Sequence, residues 1–186
     1  MAAWWDLLTA IEAPPEDFVW VSRVLGEGVQ VVPADVEVEI AHLKNYPSAQ
    51  TFHEPLQEYL EEEVREGRLL KVKKGEGSLP VRVHPIAIIP KSGQPGKYRL
   101  ITDISSPDGE SINQEAPPPP KFRMARILEA FRRLRLGYWM AKVDVAHAFR
   151  NVHLEFSYAG HLAFEVAGFY YFELRLPFGF TWSPFI

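Results

Sequence analysis

In KVDVAHAFR, residues 142–150, a single carboxylate, Asp144, stands between two valines. Aspartate is a poor strand former, and placing it in an apolar run costs free energy unless something pairs it. Two chemistries fit. Asp144 can end a strand by bonding a turn or an arginine, the commoner fate of a lone aspartate. Alternatively, it can project a hard oxygen ligand from the C-terminal end of a buried strand, which Mg²⁺ prefers. Five residues on, Phe149 would stand beside whatever such a metal holds. A ring there excludes a ribose 2′-hydroxyl by overlap, although phenylalanine is usually core.

Two cations belong to the same question. Arg99 lies in KYRLITD on a strand beside a glycine-containing turn, and Lys91 begins that turn. Cations on a mobile hairpin can close over a triphosphate, where charge on the leaving phosphates needs stabilising. Downstream, LPFG (176–179) is a tight turn whose backbone can approach a ligand, with Phe178 able to stack. Taken singly, each is as compatible with an ordinary surface residue.

The elements that must position these residues follow from the pattern. Thr51–Gly67 reads as a helix with Thr51 as cap and Glu54 completing a capping box. Leu56, Leu60 and Val64 share its face, Gly67 ends it, and its acids are solvated. RLLKVKK, HPIAIIPK and YRLITDIS read as strands, with SGQPGK and SPDG as turns. KFRMARILEAFRRLRLG is an amphipathic helix with Met124, Ile127, Leu128, Phe131 and Leu134 on one side and arginines on the other. YWMAKVDV is a strand, AHAFR a short turn or helix, and HLAFEV with YYFELRL a hairpin about Ala167-Gly168. TWSPF resembles a helix start, so the chain reads as the front part of something longer. Before residue 45, DVEVEI alternates like a strand within an acidic N-terminal extension (1–44).

Composition sets the bounds. The chain has 186 residues, 47% hydrophobic and 13% aromatic, which is a folded globular composition. It has no cysteine, excluding disulfides and thiolate zinc sites. The N-terminus MAAWWDLL has no signal-peptide pattern, and no apolar run reaches membrane-spanning length, so an intracellular setting is expected. Residues 1–66 hold 14 acidic and 3 basic side chains, and residues 67–186 hold 10 acidic and 17 basic. Arg68–Arg99 carries eight Lys or Arg and one acid, Glu76. Such a block suits a polyanion-binding surface and equally suits a solvated face.

Three blocks carry a family resemblance: PIAIIPKSGQPGKYRLITDISSPDGESIN, AKVDVAHAFRNVHL and YYFELRLPFGFTWSPF. In this order and spacing they resemble the fingers and first half of the palm of a reverse transcriptase, most similar to retrotransposon enzymes, including those of tyrosine-recombinase retroelements. The resemblance covers roughly residues 45–186. It implies an α+β fold, an antiparallel sheet backed by helices, with a fingers-like region at 45–136 and a partial palm at 137–186. It implies that Asp144 is the first metal-binding aspartate, that the Val145 carbonyl is a second contact, and that Mg²⁺ (or Mn²⁺) is the ion. Phe149 matches the steric gate, Lys91 and Arg99 match residues gripping the dNTP, and Phe178 matches a position near nucleotide and template base. Asp103 matches a structural aspartate. The expected partners are an RNA or DNA template-primer and dNTP, with no membrane. VHLEFSYAG departs from the family in lacking a proline and aspartates.

Two-metal polymerisation needs several carboxylates, which the family draws partly from an Asp-Asp hairpin. Asp144 is the last aspartate of the 186 residues. The expectation is therefore a reverse-transcriptase portion that cannot extend a primer alone. The alternatives are a non-catalytic remnant that binds nucleic acid through its basic region and, more weakly, an interaction module built on the PPPP tract.

Overall fold

The computed structural model describes residues 2–30, 42–77, 80–116, 118, 126–141 and 144–185. The DVEVEI segment, Met124 and the start of the basic helix, most of PPPP, and Lys142 and Val143 lie outside the described residues.

The chain opens with α1 (Ala2–Ala10) and α2 (Pro15–Glu27). Pro15 suits a first helical position, and Glu16 and Asp17 face the positive end of the α2 dipole. Trp5 stacks on Phe18 with ring centroids 5.0 Å apart, joining the two helices. After α2 the chain is tied down: Val29 N–H donates to the His153 carbonyl (2.9 Å) and Glu155 N–H to the Val29 carbonyl (3.0 Å). Gly28 makes this approach possible. Its φ is +89°, and a Cβ there would lie 2.5 Å from the Glu155 nitrogen and the Leu154 carbonyl carbon. Gly28→Ala should therefore release the N-terminal helices, read as much faster proteolysis within residues 1–30 than in the wild type.

A helical hairpin follows: α3 (Pro47–Thr51) and α4 (His53–Arg65). The sequence predicts one helix capped by Thr51, whereas the Thr51 hydroxyl donates back to the Pro47 carbonyl (3.2 Å). Pro47 starts an earlier turn, and Phe52, without a side-chain cap, starts α4. The buried residues of α4 are Leu56, Leu60 and Glu63, at i, i+4 and i+7. One acid thus lies in the apolar stripe instead of in solvent, a correction with consequences below. Gly67, at φ +65°, ends the segment as predicted.

All five strands predicted on either side of the glycine turns form. They are β1 (Leu69–Lys73), β2 (Ile86–Pro90), β3 (Tyr98–Thr102), β4 (Ala163–Val166) and β5 (Phe169–Glu173). One antiparallel sheet has the order β1-β5-β4, and β2-β3 is a separate antiparallel pair. Ala167 (φ +50°) and Gly168 (φ +81°) make the two-residue turn between β4 and β5. Cross-strand partners Phe164 and Tyr171 stack at 5.4 Å and pack with Leu56, Leu60, Ile86 and Ile88 in one core. The β2-β3 pair is stitched to this body along a seam. Val81 and Arg82 N–H donate to the Gly160 carbonyl, and His84 N–H to that of Ala163. The short helix α5 (Ile112–Glu115) has a capping box between Ser111 and Gln114.

Two expectations fail between residues 126 and 145. Helix α6 (Ile127–Arg133) forms, but none of its residues is buried, and Ile127, Leu128 and Phe131 are exposed. The strand predicted over 138–145 is irregular at its described residues, with Trp139 100% exposed. A strand needs a ladder partner. Here β5 is flanked on both sides by β1 and β4, and Val83 bridges β4 at Ala163. The result is an α+β fold with antiparallel sheets and helices. Among the described residues, no helix is long and apolar enough to cross a membrane.

Candidate nucleotide and nucleic-acid site

The segment after Asp144 folds as a tight corner. His147 takes a left-handed conformation (φ +53°), and residues Ala148–Asn151 make one 3-10 turn. The Asn151 amide donates to the Ala146 carbonyl (3.0 Å) and closes the corner. Phe149 is half-buried against a core cluster containing Ile104, Ile112, Leu176 and Phe180. Its ring meets that of Phe178 edge-on, with centroids 5.3 Å apart at 63°, a favourable aromatic geometry. Two residues predicted separately for the nucleotide site, 29 positions apart, thus form one aromatic corner.

The turn that carries Phe178 is held by a residue the sequence reading overlooked. The Asn113 amide nitrogen donates to the Gly179 carbonyl (2.8 Å) and to Ser105 Oγ (2.8 Å), while its oxygen accepts from Thr181 N–H (2.8 Å). Ser183 Oγ donates to the Pro177 carbonyl (3.0 Å), and Ser183–Phe185 make one 3-10 turn, so TWSPF does begin a helical turn. Asp103 is structural, as the resemblance implies. Burial pushes its carboxyl up, but hydrogen bonds from Tyr46 (2.5 Å), Ser106 (2.7 Å) and the Ser105 N–H outweigh this and hold it below the usual range.

Asp144 does not sit in a buried strand. It and Val145 are exposed, and the Asp144 carboxylate has no partner among the described residues. This removes the puzzle of a buried lone charge and leaves a carboxylate presented to solvent. The described residues contain no group of three or more His, Cys, Asp or Glu placed to hold a metal. One carboxylate and one carbonyl supply two of the six oxygens that Mg²⁺ takes. The residues present do not by themselves make a metal site.

Lys91 and Arg99 stand on the β2-β3 pair. Lys91 opens the loop, its N–H donating to the Lys97 carbonyl (2.8 Å), and Gly93 and Gly96 supply the positive φ angles. Arg99, opposite Ile89, projects away from the face that packs on α4, beside exposed Ile101. Neither cation has a side-chain partner among the described residues. The rest of the basic block divides. Arg68 and Arg82 are drawn inside, onto Glu63 (2.8 Å) and Glu115 (2.9 Å), and Lys73 and Lys74 pair with Glu76 and Glu165. The exposed cations with no acid partner among the described residues are Lys71, Lys91, Lys97 and Arg99, fewer than eight charges suggest.

Behind the corner lies a buried ion network. Arg150 donates through Nη1 to Glu173 Oε2 and through Nη2 to Glu63 Oε2, both at 2.5 Å. Arg68 completes it from the other side of Glu63. Burial pushes Glu63 up, but hydrogen bonds and charge from Arg68 and Arg150 prevail and hold it low. Full burial pushes Glu173 up to about 7 against the pull of Arg150. Burial beside Glu63 also takes the Tyr59 hydroxyl up to about 12.

No family model matches the sequence, and no curated protein matches it. Solved structures do. Prototype foamy virus protease-reverse transcriptase, in its native crystal structure, superposes with a TM-score of 0.61 at 18% identity over 84% of this chain. The foamy viral protease-reverse transcriptase in complex with dsDNA superposes with a TM-score of 0.56 at 19% identity over 86%. The fold is that of reverse-transcriptase fingers and partial palm. The chain spans 19% and 29% of the length of those two matched chains.

Proposed function

We propose that this chain is the fingers and first palm portion of an RNA-directed DNA polymerase of a retrotransposon-type element. The single observation that carries the reading is the aromatic corner, where Phe149 and Phe178 meet at 5.3 Å one short turn after Asp144. In this reading Phe149 faces the sugar and excludes the 2′-hydroxyl, and Phe178 lines the floor beside nucleotide and template base. Lys91 and Arg99, on the fingers hairpin, take the triphosphate. Asp144 and the Val145 carbonyl contribute to a Mg²⁺ or Mn²⁺ ion whose other oxygens come from phosphate and from carboxylates outside the described residues. The partners are template-primer and dNTP. Two-metal nucleotidyl transfer is the reaction of the whole polymerase, and these 186 residues do not perform it alone.

The test has two arms. Binding of a labelled template-primer should weaken steeply with salt, and Lys91→Ala/Arg99→Ala should leave that salt slope nearly unchanged, since these cations serve the triphosphate. The same variant should weaken Mg·dNTP binding. Duplex binding with no dNTP binding would favour a non-catalytic remnant instead. Primer extension by the chain alone, abolished by Asp144→Ala, would overturn the claim of inactivity.

A further inference from the structure

We infer that Arg150 is the positioning residue for Phe149, aiming its ring through a buried bridge to Glu63 and Glu173; this rests on the reading of Phe149 as the sugar-facing residue.

The 3-10 turn that carries Phe149 spans only Ala148–Asn151 and follows a residue in the left-handed region. Short 3-10 turns have poor hydrogen-bond geometry, and a left-handed residue other than glycine costs about 1 kcal/mol or more. The turn therefore needs holding from outside itself. Phe149 packs against an apolar cluster, but apolar contact does not fix the ring's direction, and its aromatic partner Phe178 is 57% exposed. Arg150 can fix it. It is 8% exposed, and its fork reaches carboxylates of two different elements, Glu63 on α4 and Glu173 on β5. A planar guanidinium gripped at both ends has its orientation fixed, which a lysine ammonium does not. In a 3-10 turn consecutive side chains are about 120° apart, so fixing Arg150 fixes the direction of Phe149.

The energetics point the same way. Two arginines and two glutamates inside a core are no more stable than apolar residues of similar volume. What they add is registry. Arg150 sets the corner relative to α4, which packs on the β2-β3 pair, and to β5, the central strand of its sheet.

The test separates stability from aim. The protein carries 4-fluorophenylalanine at position 149, read by ¹⁹F NMR, in three forms: wild type, Arg150→Lys, and the charge-balanced double Arg150→Met/Glu173→Gln. The double leaves no charge unpaired, because Glu63 keeps Arg68, and should regain most of the wild-type melting temperature. The ¹⁹F resonance should nevertheless shift or broaden in both variants. The preference for Mg·dNTP over Mg·NTP should fall about tenfold, the size of a loosened steric contact. A double variant with the wild-type resonance would overturn the inference. If the wild type binds neither nucleotide, the sugar-facing reading of Phe149 fails, and the resonance still decides whether Arg150 aims the ring.

Discussion

Arg150→Ala should destabilise the protein by about 3–5 kcal/mol, the cost of stranding a buried charge, with a fall in melting temperature of roughly 10 °C. The alanine removes the only side-chain partner of Glu173 among the described residues, and one of the two arginines on Glu63. Both carboxylates stay 2–3% exposed at the side chain and then face each other without the guanidinium between them. Glu173→Gln should cost much less. That carboxyl is already pushed up to about 7 by its burial, and an amide oxygen can still accept from Arg150. Arg150→Met with Glu173→Gln should be milder than Arg150→Met alone, because the second change removes the charge the first leaves unpaired. Denaturant titrations at pH 7.5 measure all four. A loss below about 1 kcal/mol for Arg150→Ala would mean that water reaches the network and relieves it.

The network also shows where the sequence was legible and where it was not. Local patterns carried well. The hairpin about Ala167-Gly168, the strands on either side of SGQPGK, and the break at Gly67 are set by turn chemistry and short-range alternation, whereas the basic helix stops at Arg133, short of the predicted stop at Gly137. The aromatic corner was reached through resemblance, and the structure brings its two rings together. Long-range ionic pairing was not legible, because nothing local says that the acid at 63 will meet the arginine at 150. One signal was present. Glu63 falls at i+7 from Leu56 and i+3 from Leu60, inside the apolar stripe, while Val64 is the half-buried residue beside it. An acid in an apolar stripe is a request for a buried cation, and reading all the acids of α4 as solvated missed it. The strand at 138–145 failed for a related reason. Its apolar pattern is strand-like, but a strand is defined by its ladder, and no described strand pairs with this segment. The basic block was miscounted as surface because composition does not distinguish an arginine that holds a core together from one that waits for phosphate.

His84→Gln should change the pH dependence of stability by about 3 kcal/mol between pH 7 and pH 4. His84 is fully buried in the seam that ties the β2-β3 pair to β4, with Nε2 at 2.9 Å from the His161 carbonyl. Burial, aided by Arg82, pushes it down to about 4, although backbone contacts at His161 and Asp103 and the Asp103 charge oppose the shift. His161, on the facing segment, is pushed down by burial and Arg82 while Glu115 pulls the other way. A base with a depressed folded-state pKa contributes no penalty above the unfolded value of 6.5. Its penalty grows as pH falls from there to about 4, since the unfolded chain takes the proton first. Glu173 runs in the opposite sense. Its folded-state value is raised to about 7, so its penalty is present at high pH and vanishes as pH falls toward 4.5. The two trends oppose each other between pH 7 and 4.5, with the depressed His161 and His153 adding to the loss on acidification. Single variants uncover them. His84→Gln keeps a donor for the His161 carbonyl and should gain on the wild type as pH falls, whereas Glu173→Gln should lose on it over the same range. Profiles that stay parallel to the wild type for both variants would show that neither group is held away from its unfolded pKa. The seam would then be wet, and the β2-β3 pair joined to β4 by backbone hydrogen bonds alone.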